Sequence, residues 1–239
     1  MKSERIAKVI ARAGLCSRRE AEKWITAGRV TLDGAMLTTP AVAITSAQHV
    51  CVDGQPLPKA EKPRLWLFHK PAGVITTHRD PQGRKTVFEL LKQRGMSHVI
   101  SVGRLDMASE GLLLLTNDGE LARYLELPAT GLSRRYRVRL FGMVTQEALD
   151  QLRQGITVRG VAYGPIEATL DRQKGRNAWL TMALREGKNR EIRRLAEHLD
   201  WAVNRLIRIA YGPFQLGNLN IGEVMETSYS TWRKMLRIN

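Results

Sequence analysis

The chain has 239 residues, 43% of them hydrophobic, and a net charge of +15 from 38 basic and 23 acidic residues. That length holds one catalytic-sized domain plus a small module, and the charge calls for a polyanionic partner, most often nucleic acid. No apolar stretch approaches the roughly 18 residues of a membrane helix, and the charge-dotted N-terminus lacks the apolar core of a signal peptide. Cys16 and Cys51 stand alone, which fits a reducing, cytoplasmic setting without disulfides. The five histidines have no metal-ligand spacing, and neither a P-loop nor a GxGxxG motif is present, so the sequence implies no metal and no cofactor. Residues 1–60 carry +4 and the remainder +11, which points to folded basic surfaces rather than a basic tail.

In the first segment, Ile6, Val9, Ile10 and Ala13 recur at helical spacing, and Gly14 suits the end of that helix. Ser17 and Glu20 read as a capping box opening a second helix through Ile25, closed by Gly28. A strand over 29–32 runs into the Asp33-Gly34 turn, and a second strand and turn follow over 50–54. The polar face carries Lys8, Arg12, Arg18, Arg19, Lys23 and Arg29, a set that can grip phosphates. The stretch RIAKVIARAGLCSRREAEKWITAGRVTLDGAML, with VCVDG downstream, resembles the S4 RNA-binding domain. That resemblance implies docking on structured RNA.

Pro56, Pro58 and Pro63, with charges between them, mark a boundary. The predicted organisation is an RNA-binding module over 1–58, a linker over 59–63 and a catalytic domain over 64–239. The sequence predicts a strand from Leu65 (LWLFHKP) that resumes at 74–77, then a loop and a short helix, Val87 to Lys92. Leu112–Leu115 is a wholly apolar run between turn signals and reads as a buried strand. Residues 135–140 alternate strictly, with Tyr136, Val138 and Leu140 on one face and three arginines on the other. A helix over 148–152, strands over 156–158, 162–170 and 178–184, a helix marked by Ile192, Leu195, Ala196 and Leu199, and strands over 203–209 and 214–219 follow. Residues 229–239, with Trp232, Arg233, Lys234 and Arg237, read as a short basic surface helix. The expected fold class is α+β: a small S4-type module joined to a domain with a mixed or antiparallel sheet.

Asp106 sits in Gly103-Arg104-Leu105-Asp106, just before the apolar run. It reads either as a turn acid or as a carboxylate nucleophile. Taken singly, Tyr136 reads first as a core tyrosine, Arg193 as a surface charge and Leu206 as core. The motifs HKPAGVITT, VGRLDMASEGLLLLTNDGELA, RRYRV and REGKNREIRRL with RLIRIAYG, in that order, resemble the pseudouridine synthases that act on ribosomal RNA and carry an N-terminal S4 domain. The resemblance implies that Asp106 is the nucleophile, that Arg193 is its basic partner, that Tyr136 stacks on the target base and that Leu206 walls the pocket. It further implies that Arg104 fills or holds the space left by a flipped uridine, with Lys188, Arg190 and Arg194 on phosphates.

Ser109 is similar to a Ser or Thr that follows the aspartate in that family, while Glu110 receives no role. The implied partner is ribosomal RNA or a subunit precursor, bound by a monomer without a cofactor. The large-subunit (23S) RNA is favoured over the 16S RNA as target. Two other readings stay open at this point. One is a catalytically silent, S4-type ribosome-assembly protein. The other is a glycoside hydrolase, with Glu110 or Asp118 as a second carboxylate.

Overall fold

The computed structural model describes residues 3–45 and 47–238. The chain forms two compact units, Met1–Pro63 with Asn117–Gly119, and Arg64–Thr116 with Glu120–Asn239.

The first unit runs β1 (Glu4–Arg5), α1 (Ile6–Arg12), α2 (Arg18–Thr26), β2 (Val30–Leu32), β3 (Ala35–Met36), β4 (Ala43–Ile44), β5 (Val50–Val52) and β6 (Gln55–Pro56). The helical spacing turns Ile6, Ala7 and Ile10 inward from α1, where they meet Ala21 and Ile25 of α2 and Val30, Val50 and Val52 of the sheet. Gly14 takes the left-handed conformation after α1, at φ +82°. Ser17 caps α2 by accepting from the Glu20 amide at 3.2 Å, a contact worth about 1 kcal/mol. The predicted box is half formed: the Glu20 carboxylate lies 3.5 Å from Lys23. Antiparallel strands in the order β3-β2-β5-β6 make the small sheet. Its two tight turns, Asp33-Gly34 and Asp53-Gly54, place both central residues at positive φ, as the twist of a two-residue hairpin requires.

The second unit follows with β7 (Leu65–Lys70), α3 (Val87–Lys92), β8 (Ile100–Ser101), β9 (Glu110–Thr116), α4 (Gly119–Glu126), β10 (Arg134–Phe141), α5 (Gln146–Asp150), β11 (Ile156–Val158) and β12 (Val161–Tyr163). It continues through β13 (Ile166–Lys174), β14 (Asn177–Leu184), α6 (Glu191–His198), β15 (Ala202–Tyr211), β16 (Phe214–Gln215), β17 (Val224–Thr227) and α7 (Tyr229–Leu236). A nine-stranded sheet in the order β13-β14-β10-β15-β9-β7-β17, with β16 on β15 and β8 on β9, is its backbone. The pairing is antiparallel except between β15 and β9, so the sheet is mixed. Within the described residues no helix is long and apolar enough to cross a membrane.

β9 is central and buried from end to end. Leu112 and Leu114 pack with Leu65, Leu67, Leu125 and Trp232 on one face. Leu113 and Leu115 pack with Phe68, Val87 and Leu91 on the other. Cover on both faces is why the run does not alternate. β10 does alternate: Val138 and Leu140 are buried, while Arg135, Arg137 and Arg139 are exposed.

Several predicted elements are corrected. Residues 74–77 are not a strand; only an isolated bridge joins Ile75 to Thr86. The expected strand over 162–170 is broken at Gly164-Pro165 into β12 and β13, because the first part pairs with β11 and the second with β14. The expected strand over 214–219 shrinks to β16. The C-terminal helix forms, but Trp232 and Leu236 bury one face of it, and Asn239 lies outside the described residues.

Candidate active site

A cleft of about 420 Å³ opens in the second unit. The loop before β9 supplies Gly103, Arg104, Leu105, Asp106 and Ser109, and β10 and β15 supply Tyr136, Leu206 and Arg208. The segment entering α6 supplies Lys188, Arg190, Glu191 and Arg193. Asp106, Tyr136, Arg193 and Leu206 are therefore brought to one cavity from positions far apart in the chain. Strand register explains part of this, because Tyr136 lies opposite Arg208, and Val138 opposite Leu206, across the β10–β15 pair.

Asp106 is half-buried. Its main-chain oxygen accepts from Ser109 N at 3.0 Å and from Lys70 Nζ at 3.1 Å. Asp106 lines the cleft, and among the described residues its carboxylate accepts no hydrogen bond. The Arg193 guanidinium is fixed by carbonyl oxygens, donating to Ala108 at 3.0 Å and Val203 at 3.3 Å. It makes no ion pair with Asp106; the carboxylate acts on it through space. Burial, reinforced by Arg190, pulls the Arg193 pKa below the ordinary guanidinium value, and Asp106 opposes that shift. Leu206 is buried and Tyr136 half-buried, so one wall of the cleft is apolar.

Lys70 was missing from the sequence-derived site. It is fully buried and donates to Pro71 O at 2.9 Å, Asp106 O at 3.1 Å and Ser109 O at 2.8 Å. Burial first, with Arg208 adding, pushes its ammonium down to about 8, against the pull of Asp106 and Glu110. Arg208 was also missed. It is buried, gives Nε to Leu112 O at 2.7 Å, and leaves one terminal nitrogen without a partner. Both carried a signal: Lys70 ends β7 in line with buried Trp66 and Phe68, and Arg208 lies within β15 between buried Leu206 and Ala210.

Glu110 lies away from the cleft, buried at the start of β9 and paired with Arg205. Neither it nor Asp118 lines the cavity, so the second carboxylate of a glycosidase is not supplied by either. Glu191 does line it, with its pKa raised chiefly by burial.

The predicted phosphate contacts separate. Arg104 and Arg190 line the cleft and are exposed. Arg190 also takes the left-handed conformation, at φ +52°, as the residue capping α6. Lys188 lines the cleft but donates to Ala162 O at 2.7 Å and Glu186 at 2.6 Å. Arg194 lies outside it, bonded to Asn189 at 3.2 Å. In the first unit, Lys8 and Arg12 are held by Glu4 at 2.8 and 2.6 Å. Arg29 is held by Asp53 and stacks over Trp24, and Lys23 faces Glu20. Arg18 and Arg19 remain exposed at the start of α2.

Comparison with known proteins shows the family. The RNA pseudouridylate synthase family model matches residues 64–198, and the S4 domain model matches residues 4–46. An uncharacterised RNA pseudouridine synthase of Rickettsia prowazekii is 47% identical over 232 residues, 97% of each chain. The ribosomal large subunit pseudouridine synthase B of Haemophilus influenzae is 42% identical over 89% of this chain and 61% of its own length. A crystal structure of a pseudouridylate synthase superposes with a TM-score of 0.67 at 25% identity, covering 98% of this chain and all of that one. With its candidate site gathered in one cleft and an S4 domain ahead of it, the chain belongs to the RNA pseudouridine synthases.

Proposed function

We propose that this enzyme converts a uridine of large-subunit (23S) ribosomal RNA to pseudouridine, with Asp106 as its nucleophile. It does so in the cytoplasm, as a monomer without a cofactor. The observation that carries the reading is Asp106, which lines the cleft and whose carboxylate accepts no hydrogen bond among the described residues. Ribosomal RNA as substrate is supported by the name of the Haemophilus relative and by the S4 domain.

The isomerisation breaks the N1–C1′ bond of uridine and forms a C5–C1′ bond. C5 loses a proton and N1 gains one, so neither oxidant nor group donor is consumed. Asp106 adds to C1′ or to C6, and the adduct lets the base rotate before it is rejoined. The target base leaves its stack to enter the cavity. Tyr136 offers a ring face for it, and Leu206 keeps water from the adduct. Arg193 supplies positive charge to the anionic nucleophile without occupying its lone pairs. Arg104 holds the opening left by the flipped base, and Lys188, Arg190 and Arg194 serve the flanking phosphates. Arg18 and Arg19, with the paired cations of the S4 unit, contribute further phosphate contacts to the RNA.

The test is pseudouridine mapping of total ribosomal RNA from cells lacking the protein, complemented by wild type or by Asp106→Asn. One site is expected to vanish from the large-subunit RNA, to return with wild type, and to stay absent with the variant. The variant should still bind the RNA within a few-fold of wild type. Loss of a small-subunit site would overturn the target, and conversion by Asp106→Asn would overturn the nucleophile. A map unchanged by deletion would leave only the silent RNA-binding reading.

A further inference from the structure

The arginines of β10 that turn away from the catalytic cleft have no part in the chemistry above. β13, β14, β10 and β15 direct alternate residues into the core, where Val138, Leu180, Leu206 and Ile192 meet. The intervening residues form the other face of the sheet. Arg135, Arg137 and Arg139 are all exposed there, successive ones about 7 Å apart along the strand. Register places Arg139 between Trp179 of β14 and Arg205 of β15, and sets Arg172 of β13 opposite Trp179. The Arg137 guanidinium lies over the Trp179 ring at 5.2 Å. Arg139 donates to Asn177 at 3.2 Å, and Arg205 remains half exposed although it pairs with Glu110. The acids on this face are Glu110, Glu167 and Asp171; Glu110 is already paired with Arg205, and Asp171 accepts from Thr181 Oγ1 at 2.9 Å.

Five arginines against three carboxylates, with a half-buried tryptophan beside Arg137, Arg139 and Arg172, make a cationic surface that includes an aromatic ring. Its chemistry fits RNA: guanidinium groups for phosphates and an indole face for a base or ribose. An acidic protein segment would leave the indole without a use. We infer that this outer face of β13-β14-β10-β15 is a second RNA-binding surface, which holds a segment of the substrate RNA remote from the target uridine. The inference rests on the proposed ribosomal RNA substrate and adds a site on the opposite face of the sheet from the cleft. It makes affinity depend on RNA beyond the target stem.

The test compares two substrates, a minimal hairpin containing the target uridine and a long ribosomal RNA fragment containing the same hairpin. The variants are Arg137→Gln with Arg139→Gln, and separately Trp179→Ala, in the full chain. Both arginines are exposed, so the double variant is expected to fold, and circular dichroism checks that it does. On the long fragment the double variant should raise KM at least tenfold with kcat unchanged. The slope of log affinity against log salt should fall by about 1.4 to 1.8, the share of two lost phosphate contacts. On the hairpin neither quantity should move. Trp179→Ala should weaken long-fragment binding several-fold without altering the slope.

Equal losses on both substrates would assign the arginines to the cleft and overturn the inference. Unchanged affinity for long naked RNA would also overturn it, and if conversion then failed only in assembled particles, the partner would be a ribosomal protein. Affinity and salt slope are measured in Asp106→Asn as well as wild type. Failure of the proposed reaction is therefore read separately from failure of this surface.

Discussion

The buried ammonium of Lys70 donates to the main-chain oxygen of Asp106 at 3.1 Å. The same nitrogen reaches Pro71 and Ser109, so one side chain ties the turn after β7 to both ends of the loop that presents the carboxylate. Lys70→Met removes all three donations and leaves carbonyl oxygens short of a partner, at a cost of about 1–3 kcal/mol. The loop then holds Asp106 less firmly, and kcat is expected to fall by one to two orders of magnitude with RNA affinity nearly unchanged. The sign of the pH dependence follows from the depressed pKa. Folded Lys70 releases its proton near 8 and unfolded lysine near 10.4. Between those values the unfolded chain binds more protons, so the wild type gains stability as pH rises. The penalty is present in full below pH 8. Denaturant unfolding at pH 7.5 and 10 should show wild type gaining on Lys70→Met by about 2 kcal/mol. Parallel pH curves for the two proteins would refute the assignment.

Arg193 gives a second prediction. Its hydrogen bonds go to Ala108 and Val203 rather than to Asp106, so the planar fork fixes where the charge stands. Lysine keeps the charge but cannot span both carbonyls with the same geometry. Arg193→Lys is expected to lower kcat by roughly 10- to 100-fold, and Arg193→Gln by more, with binding of the long RNA altered less than threefold. A lysine variant with full kcat would mean that charge alone suffices and that the carbonyl contacts are incidental.

The sequence exposes the parts of this arrangement whose signal is local. β9 is legible because four successive leucines between turn residues have few other uses, and β10 because its alternation is strict. Asp106, Tyr136, Arg193 and Leu206 are legible as motifs, and two sheet strands, the loop before β9 and α6 bring them to one cleft. Lys70 and Arg208 escaped because burial of a charge depends on which carbonyls surround it, and that is set by partners 36 to 96 residues away. β12 and β13 were merged because Gly164-Pro165 marks a change of pairing partner, which composition does not reveal. α4 and β17 were overlooked. The first has a polar opening, Gly119-Glu120, and the second pairs only at the sheet edge, where its burial is partial.

Gly111 links the sheet to the cleft. It lies in β9 at φ +105°, opposite Arg208 across the parallel pair. A Cβ there would stand 2.3 Å from Arg208 O and 2.7 Å from Arg208 N, both backbone atoms that cannot swing aside. Gly111→Ala must push β15 away, and Leu206 and Arg208 move with it. The expected loss is more than about 3 kcal/mol, seen as a large fall in the denaturant midpoint and in conversion of RNA. Gly95→Ala is the control, since it shares the positive φ but meets open space. It should cost only about 1–2 kcal/mol and leave kcat intact. Equal effects from the two would show that backbone conformation, not the approach of β15, governs position 111.

Glu4 sets the state of two cations on the S4 unit. It accepts from Arg12 and Lys8, and those bonds draw its carboxyl pKa down to about 2. The folded pKa lies below the unfolded value near 4.3, so the stabilisation is present above that value and is lost as pH falls toward 2. The acid stands at the surface with two long, partly exposed partners, and solvent screening reduces its contribution to about 1 kcal/mol. Glu4→Gln is therefore expected to lose about that much at pH 7 and only a small part of it at pH 2, read by denaturant unfolding of the full chain. The same change removes the Glu4 anion from beside Lys8 and Arg12. If both cations bind phosphate, RNA affinity rises about two- to fivefold in the variant at low salt, and the gain shrinks as salt screens it. A fall in affinity would instead make Glu4 a positioning residue that holds the two side chains where the RNA meets them.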